Sequence, residues 1–313
     1  MEHHSPPREE RAERSRKLRR HALWSGLAHN WMGAVGLGML VIVFIVAIFA
    51  SQIAPYDPYA MITASTGDVL APPSPVHPLG QDEAGKDVLS SVIYGARVSL
   101  TIGFAASLIV VLLGGVLGMV AGYFGGYVDI VIMRIVDAIL VVPQLPLMLV
   151  IIAVAGRGLV NIVLVIGLLS WTYMARVVRS QVMSIRERPF ILRARAIGVG
   201  HSRTMIRHIL PQVLPIILAQ ATLDVSWAVL TEATLSFLGL GDPTLVSWGG
   251  MLNRAFLRGA LTQGAWWFLF PPGLALAWVT ISLTFLGNGL QEVVNPRLRT
   301  HHLYNDRKMV SIQ

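Results

Sequence analysis

Cysteine is absent from the 313 residues of this sequence. A disulfide framework, a thiolate metal site and a cysteine nucleophile are therefore excluded. Charged residues are also scarce, because Asp, Glu, Lys and Arg make up 13% of the chain, whereas soluble domains contain about 25%. Hydrophobic residues make up 54% of it, and the mean hydropathy is +0.62. This composition predicts an integral membrane protein, in which membrane topology rather than nucleic-acid binding explains the net charge of +8.

Six apolar segments are long enough to hold a membrane-spanning helix, which needs about 20 mostly apolar residues. Five of them contain no Asp, Glu, Lys or Arg, and the remaining one contains only Asp224 and Glu232. The third and fourth are separated by the short stretch 156–158, which predicts a tight helical hairpin. We therefore expect an all-α integral membrane fold with six transmembrane helices. The predicted segments are 22–56, 98–128, 138–156, 158–175, 212–237 and 259–291.

Basic residues are concentrated before the first segment, between the fourth and fifth, and after the last. A chain with six spans places all three clusters on one face, and the positive-inside rule makes that face cytoplasmic. We expect a basic cytoplasmic tail at 1–30, a membrane domain at 31–296 with a cytoplasmic loop at 178–212, and a cytoplasmic tail at 297–313. The first apolar segment exceeds the core of a secretory signal, so we expect it to be retained as a membrane anchor.

The heptapeptide GQDEAGK at 80–86 has the spacing of a phosphate-binding loop, but Asp87 replaces the Ser or Thr that such a loop requires. Asp82 and Glu83 would repel the phosphates, and Pro78 interrupts any strand that leads into the loop. Histidines are scattered, and within the apolar segments none lies at metal-ligand spacing with carboxylates. We therefore expect no nucleotide site, no metal, no cofactor and no enzyme activity.

The loop between the fourth and fifth segments combines arginines with small residues and ends in prolines. Its marked residues are Ala194, Arg195, Ala196, Gly198, Leu210 and Pro211. This pattern resembles the cytoplasmic loop of binding-protein-dependent ABC importer permeases, which in that family forms a coupling helix in a groove of the ATP-hydrolysing subunit. The family's loop opens on a Glu, whereas Leu192 stands at that position here. The resemblance therefore implies the coupling helix without implying a Glu-mediated contact.

The resemblance extends over nearly the whole chain after the basic tail. Four stretches are similar to the second permease of dipeptide, oligopeptide and nickel importers: HPLGQDEAGKDVLSSVIYGARVSL, GYFGGYVDIVIMRIVDAILVVP, EATLSFLGLG and NPRLR. The resemblance implies the type I ABC importer membrane architecture, a second homologous permease, two cytoplasmic ATP-binding subunits and an extracytoplasmic solute-binding protein. A peptide is the implied solute, with a nickel chelate or another small solute as the alternative. The implied coupling residues are Arg188, Ala194, Arg195, Ala196, Gly198, Arg203, Leu210 and Pro211.

Ionisable residues within the apolar segments are candidates for a transport pathway, because burying them in a membrane is costly. Asp224 and Glu232 are eight residues apart, a rotation of about 80° on an ideal helix, so both are placed to face one cavity. Glu232 has an alternative role at the outer helix end, where it would cap a turn. A secondary transporter driven by an ion gradient through these two carboxylates is the rival hypothesis. Arg134 and Asp137 are spaced to pair on one helix face at the start of the third segment.

Overall fold

The computed structural model describes residues 30–59 and 69–294, and within these ranges the chain is helical, with a single isolated bridge pair between Gln81 and Asp87 and no strand. The helices are α1 (Trp31–Ile48), α2 (Ala50–Ile53), α3 (Val88–Phe124), α4 (Gly126–Val141), α5 (Gln144–Ala155), α6 (Leu159–Arg186), α7 (Pro189–Ala196), α8 (His201–Thr204), α9 (Leu210–Phe237), α10 (Trp248–Leu257) and α11 (Trp266–Val294), with a π-helix (Met205–Ile209) between α8 and α9. The two predicted tails at 1–30 and 297–313 lie outside the described residues, apart from Asn30.

Five helices are long and apolar enough to cross a membrane: α1, α3, α6, the continuous run from α8 to α9, and α11. A sixth crossing is formed if α4 and α5 together count as one span. The prediction of an all-α membrane fold is confirmed.

The third predicted span, 138–156, is not a continuous helix, and this part of the prediction was wrong. Helix α4 ends at Val141 and α5 begins at Gln144, and the two are bent by 86° to each other. Pro143 lies at the break, where it has no N–H for helical hydrogen bonding and disfavours helical geometry at the preceding residue. The predicted hairpin after α5 is present, because Gly156 ends the helix with a φ of +93°.

Helix α3 is longer than its charge-free segment. Helix α3 begins at Val88, ten residues before the predicted start at 98, because the Asp87 carboxylate accepts hydrogen bonds from the Ser90 N–H (2.8 Å) and hydroxyl (2.6 Å). Arg97 lies inside this helix, and its guanidinium donates to the carbonyls of Ala47 (3.1 Å) and Ile48 (3.1 Å) at the end of α1. An arginine that satisfies a neighbouring helix end does not interrupt its own helix.

Helices α3 and α6 pack closely through a row of glycines. A Cβ atom added at Gly114, Gly118 or Gly122 would lie 2.5, 2.4 or 2.7 Å from a carbonyl oxygen of α6. The absence of side chains is therefore what lets the two backbones approach. A Cβ atom added at Gly115, in contrast, would meet nothing within 4 Å. The two helices form a unit that ends at the 178–212 loop.

Helix α9 continues without a break from α8 through the π-helix, although Pro211 and Pro215 lie within its first two turns. Pro211 occupies the first turn, where a missing N–H is tolerated. The wider π-helical turn at Met205–Ile209 lies just upstream, and such turns are a recognised way to relieve irregular hydrogen bonding in a long helix. Neither proline therefore ends the helix.

Candidate functional site: the 178–212 loop and the outer carboxylates

The 178–212 loop is built around the short helix α7, whose ends are set by its sequence. Pro189 occupies the first turn, where its fixed φ favours helix initiation. At the other end, the Gly198 N–H donates to the Arg195 carbonyl (2.9 Å) and the Val199 N–H donates to the Ala194 carbonyl (3.0 Å). These two bonds form a Schellman motif, which requires the left-handed φ of +80° found at Gly198.

The side chain of Ile191 anchors α7 to the membrane bundle. It is fully buried, in a cluster that includes Val182 of α6, Ile209 of the π-helix and Val213 of α9. Arg188 adds a polar contact at the start of α7, because its Nη1 donates to the Gln212 side chain at 3.2 Å. A movement of α7 would therefore displace side chains that contact both α6 and α9.

The outer surface of the loop carries most of the predicted coupling residues. Arg188, Ala196, Gly198, Arg203 and Pro211 are exposed, and Ala194, Arg195 and Leu210 are partly buried. Large apolar side chains are exposed beside them: Phe190, Leu192, Ile197 and Ile206. Ile191 and Ile197 do not share a face, because Ile191 faces the bundle and Ile197 is 81% exposed. An exposed apolar patch among arginines is typical of a surface that binds another protein.

Two ion pairs join α4 to α6 just ahead of this loop. The carboxylate of Asp129 accepts two hydrogen bonds from the Arg179 guanidinium, at Nε and Nη2, and Asp137 pairs with Arg176 at 2.5 Å. The predicted pair of Arg134 with Asp137 is not formed, because the structure gives Asp137 a partner on a neighbouring helix instead. Pairing across helices fixes α4 against α6, which a pair within one helix would not do.

Asp224 and Glu232 do not share hydrogen-bond partners. Asp224 accepts from the Gln220 side chain at 3.1 Å, and Gln220 in turn accepts from Gln291 of α11 at 3.4 Å. Glu232 is 1% exposed and accepts from the hydroxyls of Ser236 (2.7 Å) and Ser99 (3.3 Å). The hydroxyls that surround Glu232 belong to α3 and α9, so this carboxylate joins two spans.

Glu232 does not have the alternative role that was predicted for it, because it does not cap the turn after α9. Its hydrogen-bond partners are serine hydroxyls rather than the N–H groups of the turn after α9. The Ser247 hydroxyl instead caps α10 by accepting from the Gly250 N–H at 3.2 Å. Glu232 therefore joins α3 to α9 rather than capping the turn after α9.

A groove of about 500 Å³ lies where α4 and α5 break and face α9. Most of its walls are apolar, with polar groups supplied by Gln144, Trp227, Thr231 and Thr234. Neither Asp224 nor Glu232 lines it. Its volume is in the range of about 300–1,000 Å³ that is usual for sites that take small molecules. The broken helix therefore produces a cavity that a straight span would have filled.

The 80–86 segment that resembles a phosphate-binding loop is a turn closed on itself. The Asp82 carboxylate accepts from the N–H groups of Ala84 and Lys86, each at 2.8 Å, and the Lys86 amine donates to the Pro58 carbonyl at 2.7 Å. Burial raises the pKa of Asp82, and burial together with the nearby charge of Asp82 raises the pKa of Glu83. Arg254 of α10 pairs with Glu83 at 3.2 Å. The turn thus supports α10 and directs its only lysine away from any phosphate position.

The tryptophans of the 238–267 region divide between core and surface. Trp248 is 2% exposed, and its indole N–H donates to the Val92 carbonyl of α3 at 2.9 Å. Trp267 donates to the Gln81 carbonyl at 3.3 Å, whereas Trp266 is 52% exposed. Trp248 therefore fixes α10 onto α3, whereas Trp266 remains on the surface.

The described residues form an all-helical membrane bundle that carries an exposed loop of arginines and apolar side chains at 178–212, which defines the class of this chain as a multi-pass membrane protein. Residues 114–300 match the family model for the binding-protein-dependent transport system inner membrane component, and residues 18–73 match the N-terminal transmembrane domain of oligopeptide transport permease C. The chain belongs to the family of inner membrane components of binding-protein-dependent transport systems. It is thus a multi-pass permease and not an enzyme, and the family's ATPase is a separate subunit.

Relatives of known assignment cover most of the chain. It is 35% identical over 277 residues to the dipeptide transport system permease protein DppC of Bacillus subtilis, covering 88% of this chain and 85% of the relative. It is 38% identical over 285 residues to the di/tripeptide transport system permease protein DppC of Pseudomonas aeruginosa, covering 88% and 91%. It is 36% identical over 282 residues to the nickel transport system permease protein NikC of Escherichia coli, covering 89% and 99%.

Proposed function

We propose that this chain is one of two homologous permeases in an ATP-driven importer of dipeptides or oligopeptides. The observation that carries the proposal is the exposed surface of α7, formed by arginines, small residues and apolar side chains, on a membrane subunit of this family. Two ATP-binding subunits would dock there, and an extracytoplasmic binding protein would deliver the solute to the opposite side. Both termini and the 178–212 loop would then be cytoplasmic.

The coupling residues we propose are Arg188, Ala194, Arg195, Ala196, Gly198, Arg203, Leu210 and Pro211. Their shared property is that they lie on or beside the exposed side of the loop, away from the buried Ile191. Arginine side chains there offer planar, permanently charged donors to acidic or carbonyl groups of the ATPase. The apolar residues between them supply the buried area that a stable contact requires.

The groove at the α4–α5 break is the site we propose for solute passage. Movement of α7 reaches α9 through the π-helix and Leu210, and α9 forms one wall of the groove through Trp227 and Thr231. A conformational change at the ATPase contact would therefore change the width of the groove. Asp224 and Glu232 have a structural role in this scheme, since they lie outside the groove.

The lining of the groove is compatible with a peptide. The described residues that line it include no Asp, Glu, Lys, Arg or His, so the groove offers no ionised or imidazole group to hold a metal complex. Amide, hydroxyl and indole groups suit the peptide backbone, and the apolar walls accept varied side chains. A nickel chelate, as in the nickel permease relative, is the alternative solute.

Uptake into vesicles tests this function. The complex, purified with its own partners, should take up a radiolabelled dipeptide only when ATP is on the loop side and the binding protein is on the other side. Excess unlabelled peptide should compete with uptake, and a nickel chelate should not. ATP-dependent uptake of a labelled nickel chelate, without uptake of the dipeptide, would favour the nickel alternative, and uptake driven by an ion gradient without ATP would refute the importer proposal.

A further inference from the structure

Tyr123, at the end of α3, contacts the 178–212 loop in two ways although it belongs to a different helix. Its hydroxyl is 3.0 Å from His201 Nδ1 at the start of α8. The guanidinium of Arg195, near the end of α7, lies over its ring at 4.5 Å from the centroid. Tyr123 is 3% exposed, whereas Arg195 is partly buried and His201 is exposed, so the two contacts join a buried ring to the surface of the loop. One side chain of α3 therefore bridges the two short helices of the loop.

Phe124 extends this contact. Its ring centroid is 5.1 Å from that of Tyr123 and 5.6 Å from that of His201, and the Tyr123 and His201 rings are 5.7 Å apart. These spacings are within the range for favourable aromatic pairs. We call Tyr123, Phe124, Arg195 and His201 the Tyr123 cluster. Its members come from three helices, α3, α7 and α8, and α3 is distant in the sequence from the other two.

The end of α3 is also fixed to α6. Arg186 Nη1 donates to the Gly122 carbonyl at 2.9 Å, and Gly125, with a φ of +68°, ends α3 beside that guanidinium. Upstream of this point, the glycine row holds α3 closely against α6. A force applied at Tyr123 is therefore transmitted to the packed pair α3 and α6, and not to a free helix end.

We propose that Tyr123 is a positioning residue for energy coupling, which links α7 and α8 to the α3–α6 pair through its contacts with Arg195 and His201. This inference rests on the proposed function, because it requires the loop to be moved by an ATPase. The loop would then act on the membrane domain by two routes. One runs along the chain into α6 and α9, and the other crosses space to α3.

The contacts set the scale of the effect. Loss of the hydroxyl alone removes one neutral hydrogen bond and should change the coupling ratio about threefold. Loss of the whole ring also removes the cation–π contact and should change it about tenfold. The coupling ratio is the number of ATP molecules hydrolysed per solute molecule taken up, which a merely stabilising residue would leave unchanged in complexes that have assembled.

The test uses the complete complex in vesicles and compares Tyr123→Ala with Tyr127→Ala. Tyr127 is the matched control because it is an aromatic residue four positions away that is 88% exposed and lies outside the cluster. The Tyr123→Ala complex should hydrolyse ATP at a near-normal rate while uptake falls, which raises the coupling ratio. The Tyr127→Ala complex should keep the wild-type ratio. If the wild-type complex couples normally and the Tyr123→Ala complex keeps the same coupling ratio, this inference is overturned and the proposed function is not.

Two further outcomes have defined meanings. If Tyr123→Ala prevents assembly, Tyr123→Phe replaces it, since the ring and its packing are retained while the bond to His201 is lost. A ratio about threefold higher in Tyr123→Phe supports the inference in that case, and a wild-type ratio overturns it. If the wild-type complex itself takes up no solute with ATP, the proposed function fails, whatever the variants do.

Discussion

Substitution of Gly198 by Ala should weaken the contact with the ATP-binding subunits by altering one backbone angle. The φ of Gly198 is +80°, a region that costs residues with a Cβ about 1–2 kcal/mol. No atom lies within 4 Å of the position of an added Cβ, so steric overlap contributes nothing. The cost falls on the Schellman motif that ends α7, and it corresponds to about a five- to thirtyfold loss of the native loop conformation.

Gly200 provides the matched control in the same loop. It too has no atom within 4 Å of an added Cβ, but its φ is −59°, which any L-residue adopts. Titration of the purified permease with ATP-binding subunits should therefore show an apparent Kd raised about five- to thirtyfold for Gly198→Ala and unchanged for Gly200→Ala. A bulky residue at 198 should abolish uptake and leave membrane insertion intact. Equal Kd values for both alanine variants would refute the role assigned to this helix end.

Three more predictions follow from the bundle and its topology. Gly118→Val should prevent recovery of a monodisperse complex in size-exclusion chromatography, because the added Cβ meets a carbonyl oxygen of α6 at 2.4 Å. Gly115→Val is the control, since a Cβ there meets nothing within 4 Å, and equal recovery of the two variants would contradict the packing of α3 against α6. Asp129→Asn should lower the unfolding midpoint in detergent, because the Arg179 guanidinium loses its charged partner at a cost of about 1–3 kcal/mol. An unchanged midpoint would show that this ion pair does not stabilise the fold. Because the chain has no cysteine, single cysteines at Arg203 and Arg258 report topology directly, and an impermeant thiol reagent should label only the latter from outside; the reverse pattern would invert the proposed orientation.

The spans were predictable because the membrane imposes a minimum apolar length, and the segments around α1, α9 and α11 meet it without help from the rest of the fold. The start of α3 was not predictable from a charge-free run, because Arg97 lies inside the helix and donates to the end of α1. The break at Pro143 was missed for a related reason. Proline is tolerated in membrane helices when neighbours satisfy the freed groups, so its presence alone does not decide between a kink and two helices.

The 178–212 loop was predictable as an exposed surface but not as a set of contacts. Glycine followed by Leu-Pro, in an arginine-rich loop, resembled the coupling helix of the family, and that role stays a prediction, although Gly198 does end α7. Tyr123 was missed because its partners Arg195 and His201 lie more than 70 residues away, and no sequence spacing encodes that approach. Its only local signal was an aromatic pair between glycines, in GYFGGY. The pairing of Asp137 with Arg176 rather than with Arg134 depends on helix packing in the same way.

Binding of ATP-hydrolysing subunits to the 178–212 loop is the central proposal for this protein. The most direct test is purification of the intact protein in mild detergent, followed by mass spectrometry of the associated proteins and an ATPase assay of the eluate. We predict recovery of a second permease and ATP-binding subunits, with hydrolysis stimulated by a solute-binding protein and lost in a variant with a bulky residue at Gly198. Recovery of the permease alone, with uptake into vesicles that requires an ion gradient and no ATP, would contradict the account.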